Sequence, residues 1–160
     1  AEDAVETGIS AYRAENYEEA IEILTDVRTA DPESPLAAFF LGMAHKAAAQ
    51  FIPAAEHLEA AVTLTPRIQE AFPELIDVLL ILGVPITWVL TAAAAHWIEV
   101  AETEKIDPAR TAFLAGRLHR LRGETDAARD AFQRACALDA AQCAAADYQV
   151  PSCPRPPTAP

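Results

Sequence analysis

Apolar residues recur at helical spacing along most of the chain, and proline or small polar residues interrupt them at regular distances. Val5, Ile9 and Tyr12 fall on one face of a helix predicted over residues 3–14. Asn16 breaks it. Tyr17 opens a second helix in which Ala20, Ile21, Leu24 and Val27 form one apolar stripe. Asp31-Pro32 stops that helix, because the residue before proline is pushed out of the helical region. Ser34-Pro35 starts a third, since serine caps helices and proline suits a first turn. The third helix, over 35–49, carries Phe39, Phe40, Leu41, Met43 and Ala44; a fourth, over 53–64, carries Ala54, Leu58, Ala61 and Val62, with Pro66 as its stop. Further on, the pattern predicts a helix over about 70–82, a break at Gly83-Val84-Pro85, and a longer helix ending near residue 104.

These elements repeat. Gly8, Ala20, Leu24 and Pro32 return thirty-four residues later as Gly42, Ala54, Leu58 and Pro66. Near the C-terminus Gly116, Ala128, Phe132 and Ala135 keep the spacing of Gly42, Ala54, Leu58 and Ala61. Self-similarity at this period marks a stack of two-helix units. The physical reading is direct. Gly8, Gly42 and Gly116 stand where two helices cross closely, with Ala20, Ala54 and Ala128 in the matching role on the second helix, and Tyr17 and Phe51 beside the tight turn.

On these residues the chain resembles the tetratricopeptide repeat (TPR) family. Gly8, Tyr12, Tyr17, Ala20, Leu24 and Pro32 match its pattern in the first unit, and Leu41, Gly42, Phe51, Ala54, Leu58, Ala61 and Pro66 in the second. Gly116, Gly123, Ala128, Phe132 and Ala135 match it in the last unit, where Ala140 replaces the usual proline. The resemblance implies an all-α, right-handed superhelical stack of antiparallel helix pairs. The expected solenoid has about four pairs, in units near 1–34, 35–68, 69–108 and 109–142, followed by a short cap and a proline-rich tail over 143–160. The third unit departs from the pattern. Pro66 and Pro108 are too far apart for one period, and Ile76 stands where Gly42 would recur.

That third unit also holds the most apolar run, from Leu75 to Ile98. Asp77 lies within it, Gly83 to Pro85 divide it, and repeat-like units flank it, all of which argue against a membrane span. The reading is a helix pair buried on several sides or docked on a partner, with Leu80, Ile81, Trp88 and Trp97 as the candidate docking surface.

Composition narrows the function. The formal net charge is −12, which disfavours wrapping nucleic acid. Acids crowd residues 2–33, whereas Arg110, Arg117, Arg120 and Arg122 follow one another without an acid. Alanine and arginine are plentiful and Lys46 and Lys105 are the only lysines, a bacterial composition. The Ala-Glu-Asp start suits the mature side of an export signal, which favours the periplasm or cell envelope over the cytoplasm. Cys143 and Cys153 could close a small ring under oxidising conditions, with Cys136 a small buried hydrophobe.

No catalytic constellation emerges. Of the four histidines, His45, His57, His96 and His119, the first two lack an acid or cysteine at ligand spacing, His96 with Glu99 nearby reads as a core or surface residue, and there is no phosphate loop or nucleophile elbow. The expectation is a protein without metal or cofactor that binds another protein. In TPR proteins the first helix of each pair lines a concave groove for a peptide or partner helix. The matching positions are Val5, Ile9 and Tyr12, then Phe39, Met43 and Lys46, and finally Arg110, Phe113, Arg117 and Arg120. Such a groove would suit a ligand with a hydrophobic anchor and an acidic segment. The alternative is a permanent subunit of a larger, membrane-associated complex, docked through the apolar third unit.

Overall fold

The computed structural model describes residues 2–83 and 88–142. Its eight described helices are α1 (Glu2–Arg13), α2 (Tyr17–Ala30), α3 (Pro35–Ala47), α4 (Phe51–Thr63), α5 (Ala71–Gly83), α6 (Trp88–Thr103), α7 (Pro108–Leu121) and α8 (Thr125–Leu138). There is no strand among the described residues. The chain divides into two compact units, residues 1–82 and 83–160.

In the first unit α1 packs on α2, α2 on α3, and α3 on α4. The helix starts are those that local chemistry dictates. Pro35 occupies the first turn of α3, and the Ser34 hydroxyl accepts from Ala37 N at 3.4 Å. The stripe Ala20, Leu24 and Val27 is buried on one side of α2 and meets Ala37, Leu41 and Ala44 of α3 in a shared cluster, with Tyr12, Ile21 and Phe40 against it. In the second unit α6 packs on α7 and α7 on α8. Pro108 opens α7, and Asp107 caps it by accepting from Arg110 N at 3.2 Å.

The glycines sit at the crossings. A Cβ at Gly8 would lie 2.6 Å from Leu24 Cγ, one at Gly42 2.8 Å from Leu58 Cγ, and one at Gly116 2.6 Å from the Phe132 ring. The repeated glycine therefore answers the repeated leucine or phenylalanine sixteen residues later, and each of these helix pairs closes on that contact. The turns within the pairs repeat as well. Glu15, Ala49 and Gly123 each adopt positive φ, and the following amide bonds back to the helix: Asn16 N to Ala11 O at 3.0 Å, Gln50 N to His45 O at 2.8 Å, Glu124 N to His119 O at 2.9 Å. Glycine provides that conformation at one of the three.

α6, with 16 residues, is the longest described helix. No described helix is long and apolar enough to cross a membrane. Leu80 is fully buried. This corrects its assignment to a docking surface: α5 is buried over most of its circumference, with Ala71, Phe72, Leu75, Ile76, Val78 and Leu79 also inside. Ile81 and Trp97 are half-buried, and the Trp97 ring meets His96 edge-on at 5.1 Å. The Trp88 side chain lies outside the described residues, as do Cys143, Cys153 and the expected cap and tail.

Cys136 is disulfide-bonded. It is half-buried against Ala128 and Phe132 in the last turn of α8. The expected Cys143–Cys153 pairing falls outside the described residues.

Candidate interaction surface

Tyr12 lies at the end of α1, and Phe39, Met43 and Lys46 follow one another at helical spacing on α3, so the packing of these two helices decides what the four residues form. Tyr12 is half-buried, and its ring meets Phe40 edge-on at 5.7 Å and Tyr17 at 5.8 Å. Phe39 meets Phe40 at 5.2 Å. Edge-on aromatic contacts of this kind stabilise beyond the area they bury. The result is a rigid aromatic ledge. Phe40 ties it to the core, Tyr12 and Phe39 are half-buried on it, and Met43, also half-buried, follows Phe39 by one turn of α3.

Lys46 carries the largest departure from expectation. Its Nζ donates to Glu74 Oε2 at 2.6 Å and to Asp77 Oδ2 at 2.7 Å, both on α5, and all three side chains are mostly buried. Two carboxylates of α5 thus already hold the Lys46 ammonium within the folded chain. The cluster reaches Tyr12. Burial raises the phenol above its ordinary value, the charges of Tyr17 and Glu74 push the same way, and Lys46 opposes them. Glu74 and Asp77 sit one helical turn apart in an otherwise apolar helix. That i, i+3 spacing is the sequence signal for them, though nothing in it names their partner.

The remaining expected residues share a face of α7. Arg110, Phe113 and Arg117 are half-buried and Arg120 is exposed. Phe113 leans on the second unit's core, 5.5 Å from the Phe132 ring, so it acts first as packing. Among the described residues no group of His, Cys, Asp or Glu is placed to hold a metal ion.

A second cluster lies on α2, α3 and α4. His45 and His57 stack at 5.4 Å with planes 12° apart, and His45 Nδ1 is hydrogen-bonded to Gln50 Oε1 at 2.7 Å. Burial holds the His57 imidazole below its ordinary 6.5; His45 and Arg28 push it down further, and Glu56 opposes. A histidine depressed in the folded state binds its proton more readily when unfolded. Stability from this site is therefore complete above about pH 6.5 and declines as pH falls from there through the folded value. Thermal denaturation between about pH 8 and pH 5 should show that decline, and His57→Gln should flatten it. An unchanged pH profile in the variant would remove His57 as its source.

No protein-family model matches the chain, and no curated protein matches it. Solved structures do. A MamA RS-1 ArsTM double mutant matches with a TM-score of 0.74 at 19% identity, over 87% of this chain and 75% of the other. The 41-end form of MamA from Desulfovibrio magneticus RS-1 gives the same values. A thermophilic TPR protein from Thermus thermophilus matches with a TM-score of 0.64 at 21% identity, over 87% of this chain and 74% of the other.

The chain has the TPR fold. In TPR terms, α1, α3, α5 and α7 are the first helices of their pairs. Tyr12, Phe39, Met43 and Lys46 lie on α1 and α3, and the Lys46 partners Glu74 and Asp77 on α5.

Proposed function

We propose that this protein is a non-catalytic interaction module that holds a partner peptide or helix on the exposed face of its first helices. The observation that carries the reading is the aromatic ledge of Tyr12 and Phe39, each in ring contact with Phe40 and half-buried, with the half-buried Met43 one turn beyond Phe39 on α3. Rigid aromatics lose little entropy on binding, and a thioether accepts varied side chains, so this ledge suits the apolar anchor of a partner. On α7 the exposed Arg120 suits a carboxylate of a partner segment. The TPR fold supports the same reading, since stacked helical repeats present extended binding surfaces.

The test compares affinity capture from the native source by the wild-type chain, by Phe39→Ala/Met43→Ala, and by Arg117→Glu/Arg120→Glu. A partner held on the ledge should be lost from the first variant, and one held on α7 from the second, by about tenfold or more, while helicity by circular dichroism is retained. Equal recovery by all three proteins would sink the proposal.

A further inference from the structure

The first unit carries a second surface, at the opposite end of α1 from Tyr12. There the start of α1, the end of α2 and the start of α3 enclose an open cleft of about 910 Å³. Val5, Ile23, Val27, Ala30 and Leu36 give its lining an apolar part. Leu36 is 42% exposed, one of few large hydrophobic side chains among the described residues left so open. Asp3, Glu6, Asp26 and Asp31 line the cleft too, and no basic residue does. Exposed apolar surface rimmed by polar groups marks an interaction site.

The charge of the surrounding unit says what fits. The only basic residues between positions 1 and 82, histidines aside, are Arg13, Arg28, Lys46 and Arg67. Each is already engaged. Arg13 pairs with Glu6, Arg28 donates to the Pro32 carbonyl, Lys46 bridges Glu74 and Asp77, and Arg67 also has a partner. Asp3 and Asp26 form no salt bridge among the described residues. Asp31 is spent only on a local turn, accepting from Glu33 N at 3.2 Å. An acid-lined cleft in a unit with so few cations favours cationic partners.

We infer that this cleft docks a partner segment whose apolar anchors are flanked by lysine or arginine. The anchors cover Leu36 and Ile23, and the cationic heads meet Asp3, Asp26 and Asp31. This surface is separate from the Tyr12–Met43 ledge, so either can fail without the other.

The probe is a fluorescein-labelled synthetic peptide of leucine and lysine, patterned to place the leucines on one helical face. It is compared with two relatives, one with glutamate for lysine and one with serine for leucine. Fluorescence anisotropy against the full chain should show binding of the first and at least tenfold weaker binding of both others. Leu36→Lys/Ala30→Lys adds charge and covers the apolar lining at exposed positions, so it should keep the melting temperature and weaken the leucine–lysine peptide about tenfold. Tyr12→Ala/Phe39→Ala should leave that affinity unchanged. Equal binding of the serine peptide would reduce the effect to bulk charge and overturn the inference. So would binding that ignores Leu36→Lys/Ala30→Lys, or concentration-dependent dimers which that variant dissociates, since a second copy would then be the occupant.

Discussion

Phe132→Ala is expected to destabilise the unit formed by residues 83–160 by about 3–5 kcal/mol. Phe132 is 3% exposed, and its ring fills the crossing of α7 and α8. Facing it is Gly116, which has no side chain to move into the gap, and beside it stands Ala128, which is too small. Phe113 would also lose its ring partner at 5.5 Å. A cavity that neighbours cannot collapse into adds to the lost transfer energy, which places this substitution at the upper end of its class. Phe132→Leu should retain most of the stability, because Leu24 and Leu58 hold the same place in the first two pairs. Urea denaturation followed by circular dichroism measures both. A loss below about 1 kcal/mol for the alanine variant would show that the α7–α8 crossing does not depend on the ring.

Gly42→Val tests the same kind of contact from the other side. A Cβ at position 42 would lie 2.8 Å from Leu58 Cγ and 3.1 Å from Leu58 N, and valine adds two methyl groups beyond it. The side chain of Leu58 is fully buried and has nowhere to go, and its backbone belongs to α4. The helices must separate, at a cost of about 1–3 kcal/mol or more. Relief from glycine's poor helix propensity, about 0.5 kcal/mol for valine, is too small to compensate. Leu58→Ala alone should cost about 2–5 kcal/mol by leaving a cavity. Combined, the two should cost less than their sum, because the valine methyls enter the space that the leucine vacates. The Leu58 N contact remains, so the rescue is partial. A double-mutant cycle should return a coupling of about 0.5–3 kcal/mol; strictly additive losses would mean the two positions do not touch.

These variants lie where sequence and structure agree most closely, and the reason is spacing. Gly8, Gly42 and Gly116 precede Leu24, Leu58 and Phe132 by a constant interval, set by the geometry of one helix hairpin. Local rules also place the ends: Ser34-Pro35 and Asp31-Pro32 act through a neighbouring amide or a steric clash, both of which a sequence displays. The turns are less legible. Glu15 and Ala49 take the left-handed conformation that Gly123 advertises, because the helix packing on either side imposes it.

The interaction surface is legible only in outline. Tyr12, Phe39 and Met43 belong to it by helical spacing, but the Phe40 contacts that hold the ledge join α1 to α3. Lys46 reads as a cation for an acidic ligand until α5 brings Glu74 and Asp77 to it across 28 and 31 residues. Leu80 reads as docking surface because a helix apolar all round offers no periodicity to say which side faces out. The acid-lined cleft has no signature at all, since its lining comes from three separate segments.

By itself the sequence determined the helices, their pairing and the repeat, because each depends on contacts within one hairpin and so on fixed intervals along the chain. Which charges neutralise each other, which apolar faces remain open and which cysteine is bonded were decided by tertiary structure alone. Those outcomes depend on side chains from different helices meeting, and burial, unlike periodicity, is a property of the assembled stack.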